Sequence, residues 1–594
     1  MLTKQPRNAA DDQTPIKYLF DLLLNPQSKP IVCRTIMEII ESLVTLSDEQ
    51  PNENEKKRCS DLISCTELIE ESESCSTLLK LTLPILIRKS NSRTDEESLK
   101  QMVLTVSNLL EKVEHPERHI PDIAPMFQIM SSVEPRKLLC RLLDRISKRV
   151  GEDELVTMVK IVDELNAWNR KFIEQPDYDR RLEAYAEVER LQNAGKLNLN
   201  LGLIVIYHSF YFLRDHTMCD TASRNLQSMV PALVRQLEKR QTDVDYLIGN
   251  VILNLIRRNL NDSNESVWRE GILLLGELAR ECPSAHPVLQ DLHQLTNKQD
   301  REVDFFDNIT HIQSHRHGKA LLKFCSVAKT FDRPPNIRTL TQFILPLASQ
   351  YICTEKHASK HGIITSAIET IGVVCRLLPW YQYEMILKHY LKKMRTNADF
   401  QKQLVRLVME ILNQFHFDLS MAKIAPKDLA KDFKKAEEEQ VENEVAKVAK
   451  DDEDTEELVL AAENQDDEEL NDKLLIEQEA DEIHEVDPSA AKKQKISIFD
   501  KQIVLSHNAA KRVVQTITTG LIPSLHNSIT TMSTYESFHK LNKLKRRSER
   551  EEEEILRVPI ALAMVKLLQK LPEGMLEHSL RGIFIKVCMF SSHL

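Results

Sequence analysis

Leu99-Lys100-Gln101-Met102-Val103-Leu104-Thr105-Val106-Ser107-Asn108-Leu109-Leu110 sets Leu99, Met102, Val103, Val106, Leu109 and Leu110 at three- and four-residue steps. That spacing gathers apolar side chains on one face of an α-helix and leaves a stripe that a neighbouring helix must cover. The same periodicity runs from about Pro15 to Phe417, and its short connections imply antiparallel neighbours. At 594 residues the chain is too long for one ordinary core, so it forms either several domains or a repeat array. Composition favours the array. Only 12 glycines and 23 prolines are present, while tight hairpins and phosphate-cradling loops both depend on glycine. A β-rich or Rossmann-type architecture is therefore disfavoured.

Two local signatures point to HEAT-type helix pairs. The first is a proline read as lying in the opening turn of an apolar helix, where its missing N–H would have no intrahelical partner. It occurs in Leu83-Pro84-Ile85-Leu86, Val230-Pro231-Ala232-Leu233, Leu345-Pro346-Leu347 and Ile522-Pro523-Ser524-Leu525. The second is Asp262-Ser263-Asn264-Glu265-Ser266-Val267-Trp268-Arg269, a polar cap followed by a Val-x-Arg helix opening and then Leu273, Leu274, Leu275 and Leu278. The expected fold is all-α: a HEAT/armadillo-like helical-repeat solenoid of degenerate repeats with a disordered acidic insertion.

Charge marks the insertion. Net charge is −11, yet Glu437–Asp487 alone carries 23 acidic and 3 basic side chains, a local balance of −20 that leaves +9 for the remainder. Dense like charge disfavours compaction, and Leu458-Val459-Leu460 and Leu474-Leu475-Ile476 are too sparse to build a core. The expected division is a polar tail over 1–14, a helical array over 15–430, the acidic insertion over 431–497 and further helical repeats over 498–594, truncated at the C-terminus. Helical periodicity resumes from Ile498, and the apolar ending at Phe590-Ser591-Ser592-His593-Leu594 reads as a fragment or a truncated gene model. Deleting Glu437–Asp487 should leave the melting transition of the array almost unchanged; a large fall in melting temperature would mean that the segment is packed.

Eleven cysteines lie scattered without a Cys-x-x-Cys pair, which fits a reducing compartment and neither a zinc ribbon nor a disulfide framework. Met1–Gln13 lacks the apolar core of a signal peptide, and aliphatic stretches such as Leu203–Tyr207 are too short to span a bilayer, so a soluble protein that is not secreted is expected. Gly271 and Gly276 have P-loop separation but lead into Glu277-Leu278 where Lys and Ser/Thr are needed. His311, His315 and His317 lack the Glu of a zinc-protease helix and a nearby Cys, so they read as hydrogen-bonding or partner-contacting histidines. No catalytic residue, cofactor, metal or small-molecule substrate is expected.

Basic clusters are the stronger candidates for function. His315, Arg316 and Lys319, and separately Lys543, Lys545, Arg546 and Arg547, could neutralise RNA phosphates or meet a partner. Read without a ligand, both are solvated helix faces, the second with ion pairs to Glu549 through Glu554. Lys492, Lys493 and Lys495 form a candidate nuclear-import signal, a short and unspecific pattern.

One stretch is specific beyond composition: Glu302-Val303-Asp304-Phe305-Phe306-Asp307-Asn308-Ile309-Thr310-His311-Ile312-Gln313-Ser314-His315-Arg316. It resembles the signature of the large HEAT-repeat component of the small-subunit processome, the down-regulated-in-metastasis family. Further stretches resemble that family in order: Glu164–Ala167, Pro176–Ala184, Trp380 with Tyr383, Phe415–Asp418, Arg557–Ala563 and Val565–Pro572. A departure is His317-Gly318, which intervenes before Lys319 where the family tends to continue basic. The resemblance implies a nucleolar, nuclear scaffold that is not an enzyme. It would hold precursor rRNA, a small nucleolar ribonucleoprotein and other assembly factors during processing to 18S rRNA. Members of that family are several times longer, so the chain would be an internal portion. A HEAT-repeat nuclear transport receptor is the alternative from another class, and binding to a Ran-type GTPase would favour it. Within the signature, Phe305, Phe306, Ile309 and Ile312 are expected on one apolar helix face, with Asp304 and Asp307 near the helix start.

Overall fold

The stripe from Leu99 to Leu110 is buried along its whole length, with the non-stripe Leu104 turned outward. The computed structural model describes residues 72–89, 96–169, 175–331, 333–420, 501–523 and 560–572, with positions 422, 499, 525 and 576. These fall into two compact units, drawn from Met1–Leu255 with Ser263–Glu270 and from Ile256–Asp262 with Gly271–Leu594.

In the first unit α1 (Ser72–Lys89) packs on α2 (Glu96–Lys112), and short helices α3 (Ile120–Ile123) and α4 (Met126–Ile129) lead into α5 (Val133–Val150). Gly151, left-handed at φ 76°, ends α5 and donates its N–H to Ser147 O at 2.8 Å, a helix stop that suits a residue without Cβ. Then α6 (Asp153–Leu165), α7 (Tyr178–Asn193), α8 (Leu199–Phe212), α9 (Cys219–Leu237) and α10 (Gln241–Asp245) follow. Helix α5 packs on α2 and α6, α6 on α7, and α9 on both α7 and α8. Helix α8 is apolar nearly all round and is buried accordingly.

Two arginines lie inside this unit, each 1% exposed. Arg136 donates from Nε to Met130 O (2.6 Å), from Nη1 to Asn166 Oδ1 (2.7 Å) and from Nη2 to Phe127 O (2.7 Å). Arg181 donates from Nε to Ala167 O (3.0 Å). Both guanidinium groups lie near the Phe212 ring, with Tyr211 also beside Arg136 and Trp168 beside Arg181. Carbonyl dipoles and aromatic faces thus do here what a counter-ion does elsewhere. Burial pushes Arg136 down to about 10, which leaves it charged at neutral pH. The stretches Glu164–Ala167 and Pro176–Ala184 meet at this node, because they supply Asn166, the Ala167 carbonyl and Arg181.

Helices α11 (Leu253–Leu260) and α12 (Glu265–Glu281) contribute residues to both units. The cap expected in Asp262–Arg269 is present, since the Asn264 side chain accepts the Ser266 N–H at 3.0 Å and Val267 is buried. The second unit continues with α13 (Pro287–His293), α14 (Phe305–Ile309), α15 (Ser314–Ala328), α16 (Leu345–Ser349), α17 (His361–Leu377), α18 (Trp380–Thr396) and α19 (Gln401–Asn413). Helices α15, α17 and α19 lie side by side as one layer, and α14, α16 and α18 pack against them from sequence-adjacent positions. Contacts to the next helix and the next but one are the stacking of a HEAT-type repeat array. The fold is all-α as read from the sequence.

The structure corrects two expectations. Pro84 and Pro231 lie deep inside α1 and α9 and not in opening turns. The buried Leu83, Val230 and Leu233 around them supply packing that offsets a missing helix hydrogen bond. Pro346 does lie in the opening turn of α16, and it and Pro523 each come two residues after a π-turn, Thr339–Ile344 and Ile517–Leu521, whose wider winding makes room for a proline ring. Second, helix does not resume at once after the insertion. Ile503–Val504 (β2) pairs in parallel with Phe417–Asp418 (β1), Phe417 opposite Ile503, before α20 (His507–Thr516) starts on its Ser506 cap. The acidic segment Glu437–Asp487, Lys492, Lys493, Lys495, Lys543, Lys545, Arg546 and Arg547 lie outside the described residues.

Trp380, Tyr383, Phe415, His416 and Phe417 converge beside β1 with ring centroids 4.2 to 6.4 Å apart. The Tyr383 hydroxyl donates to Ile411 O at 2.9 Å. Burial pushes the His416 imidazole down to about 4. The unfolded chain takes up a proton here near the ordinary value of about 6.5, whereas the folded chain refuses it until about 4. Its contribution is therefore complete above pH ~6.5 and is lost as pH falls toward the folded value. Thermal melts followed by circular dichroism should show a smaller acid-induced fall across this window in His416→Gln than in the parent; equal slopes would exclude His416 as a source.

Candidate partner-binding site

The sequence candidates His315, Arg316 and Lys319 stand on α15, which packs on α14, and the end of α12 meets the start of α14. That corner is founded on Asp304, fully buried at the start of α14. Asp304 Oδ1 accepts the N–H groups of Phe306 (2.8 Å) and Asp307 (3.1 Å), while Oδ2 accepts that of Asn297 (2.8 Å). Arg280, from the last turn of α12, donates through Nη2 to Asp304 Oδ1 at 2.9 Å and to Asp307 Oδ1 at 3.1 Å. Burial alone would push the Asp304 carboxyl up, but Arg280 and the backbone N–H groups outweigh it and hold the carboxyl below its ordinary value.

Phe305, Phe306 and Ile309 are wholly buried, as expected for the apolar face of α14. Ile312 is a correction: it is 92% exposed, the most exposed large apolar side chain among the described residues. The reason is that α14 ends at Ile309, so the helical period stops before Ile312 and the chain turns. That turn is pinned. Thr310 Oγ1 donates to Phe306 O, Gln313 N to His311 Nδ1, and Arg316 N to Gln313 O. His317 hydrogen-bonds the His311 carbonyl through Nε2 and the Tyr351 hydroxyl through Nδ1. His317 is thus structural, and no group of three or more His, Cys, Asp or Glu among the described residues is arranged to hold a metal.

The three sequence candidates on α15 separate by role. His315 and Lys319, one turn apart, are exposed. Arg316 is only partly exposed and pairs with Glu302 at 3.6 Å. Glu302 is itself largely exposed, so this pair contributes under about 1 kcal/mol. Lys323, further along α15, is half-buried and donates to Leu295 O and Val303 O, both at 2.6 Å. Burial lowers its pKa. Arg280 and Tyr351 escaped sequence reading because each lies in another helix or turn, with no local spacing to tie it to the Phe-Phe-Asp-Asn-Ile stretch. Gly271 and Gly276 both lie inside α12, and a Cβ on Gly276 would sit 2.7 Å from Phe306 Cβ and Cγ. The glycine serves close packing and not phosphate binding.

Elsewhere the first unit has a polar cleft lined by Arg214, His216, Asp220, Asn264, Arg269 and Glu270. It offers both signs of charge, and Glu270 already accepts the Ser223 hydroxyl at 2.5 Å. None of the described cysteines is in a disulfide, and no described helix is long and apolar enough to cross a membrane.

Comparison with known proteins places these features. The family model for the N-terminal part of U3 small nucleolar RNA-associated protein 20 matches residues 56–264, and the model for the U3 small nucleolar RNA-associated protein 20 domain matches residues 547–592. Glu164–Ala184 lies in the first match and Arg557–Pro572 in the second, while the Phe305 corner and the Trp380 aromatic node lie between them. The chain is 26% identical over 295 residues to U3 small nucleolar RNA-associated protein 20 of Schizosaccharomyces pombe, covering 49% of this chain and 11% of that protein. It is 22% identical over 390 residues to the protein of the same name from Saccharomyces cerevisiae, covering 64% of this chain and 15% of that protein. The matched regions thus span a small part of these relatives' length. Two matched models, the two relatives and the ordered succession of shared stretches agree: over these segments the chain is similar to the U3 small nucleolar RNA-associated protein 20 family.

Proposed function

We propose that this chain serves ribosome biogenesis as a non-catalytic helical-repeat scaffold associated with the U3 small nucleolar ribonucleoprotein in the nucleolus. It supports processing of precursor rRNA to 18S rRNA and assembly of the small subunit. The observation that carries the reading is the match to U3 small nucleolar RNA-associated protein 20 at two separate segments of the chain. A repeat array suits such work because each repeat adds a small patch of surface, so that several weak contacts act together. His315, Arg316 and Lys319 are contact positions on the described part of the array. Lys543, Lys545, Arg546 and Arg547 are proposed contacts beyond it, and Lys492, Lys493 and Lys495 a proposed import signal. The array over 15–430 and 498–594 would then flank an acidic insertion over 431–497.

Crosslinking the chain to RNA in cells, followed by sequencing, tests the proposal. Recovery of U3 small nucleolar RNA together with precursor rRNA is expected. Recovery of neither, with capture of a Ran-type GTPase in a pull-down, would replace the scaffold by a transport receptor.

A further inference from the structure

Helices α15, α17 and α19 run parallel and in register. A Cβ on Gly318 would lie 3.3 Å from Ser366 Oγ, Thr370 Oγ1 lies 3.3 Å from Leu321 O, and Arg406 Nη2 donates to Thr365 Oγ1 at 3.0 Å. Each of these pairs joins positions at nearly equal distances from the helix starts at Ser314, His361 and Gln401, so the three N-terminal halves lie side by side.

The outer face of those halves is a band of one character. His315 and Lys319 on α15, His361 and Thr365 on α17, and Lys402 and Arg406 on α19 are all exposed, the two members on each helix standing one turn apart. The first two turns of these three helices contain no Asp or Glu. Neighbouring helix axes lie 8–10 Å apart, so the band crosses about 16 to 20 Å of surface. Arg406 is held by the neutral Thr365 hydroxyl, which fixes its direction without cancelling its charge. Neither Arg406 nor Lys319 is paired with a carboxylate among the described residues, whereas Arg316 turns away to Glu302. Gly362, exposed and with open space where a Cβ would stand, leaves the start of α17 accessible at the middle of the band.

Charge complementarity calls for a polyanion, and the rest of the band narrows the choice. Protein interfaces centre on buried apolar and aromatic side chains, and this band has none. Ile312 and Leu322, the exposed large apolar residues nearest along α15, precede its first turn and follow its second. The band also lacks the Phe, Tyr and Trp rings on which RNA bases stack, which leaves contact to phosphate and sugar.

We infer that this band binds the sugar–phosphate backbone of RNA without reading its bases, with Lys319 and Arg406 as the charge contacts. The inference deepens the scaffold reading and rests on it for the choice of RNA among polyanions. It carries the contact from α15 across α17 to α19.

The test titrates the full chain against a labelled uridine-rich and a labelled adenine-rich RNA oligonucleotide, read by fluorescence anisotropy over a series of salt concentrations, with a polyglutamate peptide beside them. The two RNAs should bind alike. Lys319→Ala and Arg406→Ala should each weaken both and lower the slope of log affinity against log salt by about 0.7, the value for one lost contact to single-stranded RNA. Arg406→Lys should keep the slope, because it keeps the charge. Lys388→Ala, on α18 and already paired with Glu384, should leave it unchanged. Thermal melts of the variants should stay at the parent value, since exposed charges contribute little to stability. An unchanged slope in the Lys319→Ala/Arg406→Ala double variant overturns the inference. A preference of tenfold or more between the RNAs that disappears in the double variant overturns backbone-only contact. Tighter binding of polyglutamate than of RNA, lost on the same substitutions, overturns it in favour of an acidic protein. Failure of the scaffold reading shows separately, in the RNA recovered from cells, since the titration involves no ribosome precursor.

Discussion

Phe306→Ala is expected to destabilise the second unit by roughly 3 to 5 kcal/mol, the range for removing a fully buried ring. Phe306 is 0% exposed and meets Phe305 edge to face at 5.2 Å. Its Cβ and Cγ lie so close to Gly276 that a Cβ there would approach to 2.7 Å, leaving no slack for neighbouring atoms to settle into the vacated space. The helix that carries it, Phe305–Ile309, has five residues, far too few to be stable by itself. Burial of its aromatic pair therefore holds α14, and α14 positions the turn that presents Ile312. A urea titration followed by circular dichroism measures the loss. Gly276→Ala should destabilise in the same direction, since the Phe306 atoms it meets are at the root of the side chain and cannot swing away. Unchanged stability in Phe306→Ala with loss of partner binding would make the aromatic pair an interaction surface and refute the core assignment.

Arg280→Ala should be comparably severe, at roughly 3 to 5 kcal/mol, because it leaves the buried Asp304 carboxylate without its counter-charge. Arg280→Lys is expected to recover only part of this, since an ammonium cannot reproduce the Nε and Nη2 fork that meets both oxygens of Asp304. The pH dependence has a definite sign. Asp304 is depressed in the folded protein, so the pair's contribution is present above the ordinary aspartate value of about 4 and is lost as pH falls through the lower folded value. The stability difference between parent and Arg280→Ala should accordingly shrink in acid, where a neutral Asp304 is easier to bury. A difference that stays constant down to strongly acid pH would mean that Arg280 matters through its packing and not through its charge.

Much of the fold was legible because helical order is local. The steps in Leu99–Leu110, the Asn264 cap and the placement of Asp304 before Phe305-Phe306 depend on neighbours three or four residues away, and all three occur in the structure as read. The candidate contact site was legible only in part. Sequence placed His315, Arg316 and Lys319 on a basic segment, but which of them faces solvent depends on Glu302 and on the packing of α15 against α14 and α17.

Sequence by itself determined the helix class, the start of α14 and the stretches shared with a family. Tertiary structure decided what those stretches are for. Asn166 and Arg181 join Arg136 across helices, and Trp380 and Tyr383 join Phe415 and Phe417. The parallel pairing of Phe417 with Ile503 spans the whole acidic insertion. Ile312, read as core from its spacing, became the most outward of the large apolar residues described because one helix ended three residues earlier. Periodicity reports which residues share a face while a helix lasts; where it ends, and which distant group meets that face, is settled by packing between segments far apart in the chain.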